Sequence, residues 1–180
     1  MPLIPTIPLL VAAMVAGAAA ITDVRTRRIP NWLTGGALLL GLLLNLLLGS
    51  QIDGASGSLS ALVSSAAGAA LGFALLFPLY VIRVSGLGHA IGAGDVKLLA
   101  ALGAIVGPQA VVSIAVYGAI AGGAQSLFIL AISGQLLHMV RHALVLQTTP
   151  PLSGRKAPYA IAIAAGVCLT AVLPPLVRLS

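Results

Sequence analysis

Charge is almost absent from two long stretches of this chain. Between Arg28 and Arg83 the one charged side chain is Asp53, and between Lys97 and Arg141 there is none. A helix needs about 20 apolar residues to cross the hydrocarbon core of a bilayer. Six runs meet or approach that length: 4–22, 32–49, 58–82, 95–107, 110–133 and 157–177. Hydrophobic residues make up 59% of the 180 and charged ones 7%, with a mean hydropathy of +1.14. Soluble domains carry roughly 45–50% apolar and about 25% charged residues, so a water-soluble fold would lack the polar surface to cover itself. The sequence therefore predicts an all-α, polytopic membrane protein of about six transmembrane helices, one domain over residues 1–180.

The run at 95–107 is short, and its crossing needs the preceding glycine-rich loop or protein-lined water to complete it. The first run ends in Ala18-Ala19-Ala20, which imitates a signal-peptide cleavage site. It lacks a basic leading region and is followed at once by Arg25, Arg27 and Arg28, so it reads as a retained helix.

The basic residues set the orientation. Arg25, Arg27 and Arg28 follow the first run, Arg83 and Lys97 frame the gap after the third, and Arg141, Arg155 and Lys156 follow the fifth. The gaps at 49–57 and 107–109 contain no Lys or Arg. The positive-inside rule makes the basic gaps cytoplasmic and puts both termini, with Arg178, on the outer side. A net charge of +6 then serves orientation and anionic lipid headgroups rather than nucleic acid. In the longest gap, Gln135, His138, Arg141 and His142 recur at helical spacing, predicting an amphipathic helix on the cytoplasmic leaflet, ended by Thr148-Thr149-Pro150-Pro151. Gly68/Gly72, Gly103/Gly107 and Gly118/Gly122 are small pairs that allow close helix approach in lipid. The single cysteine, Cys168, excludes an intrachain disulfide and reads as buried packing.

Only three carboxylates exist: Asp23, Asp53 and Asp95. Asp53 lies in the turn-forming Gln51-Ile52-Asp53-Gly54 of an outer gap. Asp23 closes the first run and Asp95 opens the fourth, so the predicted topology carries both to the same cytoplasmic level. Each has a plain structural reading, Asp23 as a partner of Arg25 or Arg27 and Asp95 as a helix cap. The flanks point further. Asp95 lies in Gly92-Ala93-Gly94-Asp95-Val96-Lys97, and glycines two apart free the backbone and let another chain approach closely. An extended peptide substrate needs that room beside a catalytic acid.

Residues 92–107, GAGDVKLLAALGAIVG, resemble the second-aspartate motif of the type IV prepilin peptidase family, the GxGD aspartic proteases of the bacterial inner membrane. Residues 23–31, DVRTRRIPN, resemble the first-aspartate motif of the compact branch that serves tight-adherence (Flp-type) pili. Ala157-Pro158-Tyr159-Ala160 is similar to the start of the family's final helix. The resemblance implies that Asp23 and Asp95 are the catalytic pair. It also implies that Gly92, Gly94, Lys97, Arg28, Pro30 and Asn31 form the loops that meet substrate. Larger members also N-methylate the product through a segment bearing a cysteine tetrad. One cysteine cannot build that tetrad, so peptidase activity alone is expected, with no cofactor and no metal.

Two carboxylates brought together do not both ionise cheaply, so such a pair holds one proton near working pH. The ionised member takes a proton from water, which attacks the scissile carbonyl, while the protonated member donates to the carbonyl oxygen. The expected partners are prepilin or pseudopilin helices, which carry a basic leader, a small residue before the cut and an apolar helix, together with the bilayer. Self-association into a homo-oligomer stays open. Lys97 is placed to favour ionised Asp95 or orient the loop, and a lysine snorkelling to the interface reads equally well. His89 stands near the Gly-rich loop as a tuning group or a plain loop residue. His138 and His142 lack a third metal ligand. Trp32 and Tyr159 read as interfacial anchors, and Ser85, Ser113 and Ser126 have no His–Asp partners. Two other functions compete: a proton-coupled transporter or channel subunit using Asp23 and Asp95 as a relay, and a non-catalytic scaffold of a secretion assembly.

Overall fold

The computed structural model describes residues 6–81, 83–84, 88–89, 91–132 and 159–173. Helix α1 spans Thr6–Thr26 and α2 spans Asn31–Val81. A two-residue antiparallel pair follows, β1 (Arg83–Val84) with β2 (Gly88–His89), Arg83 opposite His89. Helix α3 spans Ala93–Ile132 and α4 spans Tyr159–Val172. Among the described residues four segments are long and apolar enough to cross a membrane, Ile7–Thr26, Asn31–Gln51, Gly54–Val81 and Ala93–Ile129, while α4 is a shorter apolar helix. The amphipathic segment with His138, Arg141 and His142, the basic residues Arg155, Lys156 and Arg178, and Ser85 lie outside the described residues.

Helix α1 is built from Ala, Val and Leu, and it stops at a defined chemical signal. Arg27 has φ 52°, the left-handed conformation that commonly ends a helix, and its N–H donates to the Asp23 carbonyl at 2.8 Å. Ile29-Pro30 then forces extended backbone. The Pro30 carbonyl accepts from Leu33 and Thr34 N–H at 3.1 and 3.3 Å, which starts α2.

Helix α2 doubles back on itself. Gly54 has φ 61°, and a methyl group on Gly49 would lie 2.5 Å from the Gly57 carbonyl oxygen and 2.7 Å from the Ala61 Cβ. Its two arms clasp the first arm of α3, residues 93–106. Gly41 on one arm packs on Ala104 and Ile105, while Gly68 and Gly72 on the other pack on Gly103 and Leu99. Two of the glycine pairs expected from sequence therefore do bring backbones together. Leu98, Leu102, Ala104 and Ile105 of this arm are fully buried. Across the apolar windows, 56% of α3 is buried against 17–22% in the other three segments. The bundle is thus organised around α3, and the exposed leucines of α2 (Leu39, Leu43, Leu47) face outward, where a bilayer would receive them.

At Gly107 the backbone leaves the helical region (φ 80°, ψ 176°), and Pro108 follows. A proline has no N–H for the carbonyl four residues earlier, here Ala104. Two side chains of α2 replace the missing donor. Asn45 Nδ2 reaches the Ala104 and Ile105 carbonyls at 2.9 and 3.0 Å, and the buried Ser65 hydroxyl donates to Ala104 as well. The second arm of α3, residues 108–132, packs on α4 through Gly118, Gly122 and Gly166. Cys168, expected to be buried, is exposed on α4. The buried face of that helix is Ala160, Ala162, Ile163, Gly166, Val167 and Thr170 instead, the side on which Gly166 lets the backbone close on Ile114 and Gly118.

Candidate functional site: an aspartate pair in one pocket

Asp23 sits on the last turns of α1. Thr22 and Thr26 brace that end, their hydroxyls donating to Ala19 and Thr22 carbonyls at 2.9 and 2.8 Å, and Thr26 also reaches the Arg28 carbonyl at 3.0 Å. The Asp23 carboxylate accepts a hydrogen bond from the Ala160 N–H in the first turn of α4. The Arg27 guanidinium acts on it as an attractive charge. Arg27, one of the two partners foreseen in the plain alternative, thus acts on Asp23 through its charge, and the carboxylate has the Ala160 N–H besides.

Asp95 is the third residue of α3 and is buried, 9% exposed. Its side chain turns back to accept from the Gly92 N–H, while its own N–H donates to the Gly92 carbonyl at 3.1 Å. This reciprocal contact resembles a capping box, with the acid at the third helical position rather than at the cap itself. The helix start therefore fixes the carboxylate, and the negative charge of Asp23 acts on it from across the site.

Both aspartates line one pocket of about 330 Å³, together with Arg27, Arg28, Ile29, Asn31, Gly92, Ala93, Gly94 and Lys97. Of the residues expected from sequence, Asp23, Asp95, Gly92, Gly94, Lys97, Arg28 and Asn31 are brought together here. Pro30 is not among them; its carbonyl caps α2. Lys97 Nζ donates to Asn31 Oδ1 at 3.0 Å, tying the start of α3 to the start of α2 across the pocket. Lys97 thus has a partner inside the site, which goes beyond the snorkelling reading.

Of the two roles expected of the glycines, backbone freedom and room, the structure shows the second. Among the described residues the glycines with positive φ are Gly54 and Gly107, so Gly92 and Gly94 are not present for a left-handed backbone. They supply room. A methyl group on Gly92 would stand 3.1 Å from Asp95 Oδ2, and one on Gly94 would stand 3.1 Å from the Ile29 Cβ. Any larger residue at position 92 would press on the carboxylate it borders.

Three contributors were missed in the sequence: Ile29, which roofs Gly94, and the pair Tyr159 and Ala160 at the start of α4. Tyr159 is half-buried and packed on Gly122, so it is not a free interfacial anchor; Trp32, at 75% exposure, fits that description. The available signal was Pro158 directly before a helical run whose start is predicted at the depth of both aspartates. His89 lies in β2, its backbone paired with Arg83.

The arrangement offers two carboxylates and several N–H donors around a cavity large enough for a peptide segment and water. No curated protein and no solved structure matches the chain significantly. The profile of the type IV leader peptidase family, however, matches residues 10–127, a stretch that includes α1 through most of α3 and both aspartates. The chain belongs to the type IV leader peptidase family.

Proposed function

We propose that this protein is a membrane-embedded aspartic endopeptidase that removes the short basic leader of type IV prepilins or pseudopilins of the Flp kind, with Asp23 and Asp95 as the catalytic pair. The observation that carries this reading is the shared pocket: residues 72 positions apart in sequence present their carboxylates to one cavity. In the proposed mechanism the pair holds one proton. The ionised carboxylate takes a proton from water as it attacks the scissile carbonyl, while the other gives its proton to the carbonyl oxygen. As the resulting gem-diol collapses, the first passes its new proton to the departing amine and the second recovers one from a gem-diol hydroxyl. Gly92 and Gly94 leave a strip of backbone against which an extended substrate docks, and Arg28, Asn31 and Lys97 border it.

The chain acts as a single domain with six crossings: α1, two arms of α2, two arms of α3 and α4. The helix reversals at Gly54 and Gly107 and the meeting of Tyr159 with Gly122 support this count. The basic residues beside the pocket support a cytoplasmic active site in a bacterial inner membrane, with the termini outside. Leader removal without methyl transfer is proposed, since the lone Cys168 offers no cysteine cluster in these 180 residues. A proton-relay role would place acids along a pathway through the bilayer. Here both lie at one end of the bundle, where a peptide reaches them.

The test is co-expression of an Flp-type prepilin with the wild type, Asp23→Asn or Asp95→Asn, read as an electrophoretic mobility shift with membrane levels checked by immunoblot. Cleavage by the wild type and by neither variant is the expected result. Undiminished cleavage by either variant would refute the paired-aspartate assignment.

A further inference from the structure

The first turn of α4 meets Asp23 through a backbone N–H and brings a phenol toward Asp95, without lining the pocket. Ala160 is fully buried, and its N–H is one of the helix-start donors that has no partner within its own helix; it is given to Asp23. One residue earlier, the Tyr159 phenol lies within electrostatic reach of Asp95. Nothing in the first turn of a helix holds such a contact by itself, since helix ends fray. The restraint comes from Gly122. A methyl group there would stand 2.9 Å from Tyr159 Cε2, 3.4 Å from Cδ2 and 3.2 Å from the Ala162 Cβ, so the tyrosine ring occupies the space that glycine leaves. Further along, Gly166 is closed against the Ile114 carbonyl and the Gly118 N–H at 2.5 and 2.8 Å from its notional methyl group. The helix is therefore located at both points on α3.

We propose that Tyr159 is a positioning residue of the aspartate pair: its ring, seated on Gly122, holds the first turn of α4 so that the Ala160 N–H keeps the Asp23 carboxylate in the pocket it shares with Asp95. The aromatic ring carries this role, and the hydroxyl is secondary to it. The proposal rests on the peptidase reading above. It gives the last helix, which lies beyond the family match, a part in the chemistry.

The experiment uses the full chain purified in detergent, with a synthetic peptide of lysine-rich leader, glycine and apolar helix as substrate. Asp23→Asn and Asp95→Asn are run beside Tyr159→Ala, Tyr159→Phe and Gly122→Ala. Displacing a reacting group by about 1 Å costs about 10²-fold in rate. Tyr159→Ala and Gly122→Ala are therefore expected to lose kcat on that scale while KM stays near the wild-type value, and Tyr159→Phe is expected to restore most of it. A purely structural residue would lower the yield of folded enzyme without this split between kcat and KM. Wild-type kcat in Tyr159→Ala, or a loss in Tyr159→Phe as deep as in Tyr159→Ala, would overturn the proposal. So would failure of both Tyr159→Ala and Gly122→Ala to elute as folded protein on size exclusion, which would make the ring a packing element only. Full activity in the two aspartate variants would instead refute the paired-aspartate assignment, and a wild type that leaves the peptide intact would refute the peptidase reading itself, whatever Tyr159 does.

Discussion

The break in α3 at Gly107-Pro108 exposes backbone acceptors inside an apolar bundle, and its repair can be measured. Asn45 has two N–H bonds to give, and it faces the carbonyls of Gly41, Ala104 and Ile105 at 3.0, 2.9 and 3.0 Å. Ser65 gives its single hydroxyl proton to Ala104. A side-chain hydrogen bond between membrane helices contributes about 0.6 kcal/mol on average and up to about 1.7. Asn45→Ala removes up to two such bonds and is expected to cost about 1–2 kcal/mol, while Ser65→Ala removes one and is expected to cost about 0.6–1. In either single variant the Ala104 carbonyl keeps one donor. In the double variant it keeps neither, and an orphaned buried acceptor adds about 1–3 kcal/mol. The double variant is thus expected to lose more than the sum of the two singles, with a coupling of about 1 kcal/mol. Unfolding in mixed micelles by increasing SDS, followed by far-UV circular dichroism or by fluorescence of the single Trp32, supplies the three free energies. Additive losses would refute the claim that both side chains serve the same orphaned carbonyl.

Two further outcomes are expected from the same bundle. A methyl group on Gly68 would collide with the Gly103 carbonyl and with the Gly107 backbone, so Gly68→Ala is expected to destabilise by about 1–3 kcal/mol, the usual range for overpacking, seen as a lower melting temperature in detergent; unchanged melting would refute the close approach. Arg27 holds a left-handed backbone that costs a non-glycine residue about 1–2 kcal/mol, so Arg27→Gly is expected to raise stability by about 1 kcal/mol while cleavage fails to rise, because the cation facing Asp23 is gone; a less stable variant would refute the cap assignment.

The helical character of the chain and the two aspartates were legible because each depends on one-dimensional signals: long uncharged runs, and rare acids at the ends of those runs. The glycine pairs at 68/72 and 103/107 were legible for a similar reason, since lipid leaves little besides small side chains to bring helices together. What stayed hidden is set by three-dimensional complementarity. Gly92 and Gly94 read both as conformational glycines and as room for another chain, and only their neighbours Asp95 Oδ2 and Ile29 show that volume is what they supply. Cys168 read as buried because it lies in an apolar run, but in a membrane protein apolar residues face outward as readily as inward. Asn45 and Ser65 carried no motif; their purpose exists only because Pro108, over 40 positions further on, withdraws a donor. The contribution of α4 was equally invisible, since a backbone N–H has no sequence identity.

The uneven burial of the bundle has a consequence for how much of this sequence is information. The first arm of α3 is enclosed on its flanks, with Leu98, Leu102, Ala104 and Ile105 at 0% exposure and glycine backbones against it, so nearly every atom there has a required neighbour. The outward faces of α1 and α2, with Met14, Leu39, Leu43, Leu47 and Val63 all more than half exposed, answer only to being apolar. Under random mutation the two regions would diverge in tolerance: exchanges among Leu, Ile, Val and Met would accumulate freely on the outer helices, while residues 93–106 would admit almost none. A library of variants sorted for leader cleavage would then recover the central arm and its aspartate as an island of fixed letters in a chain otherwise specified by little more than its oiliness.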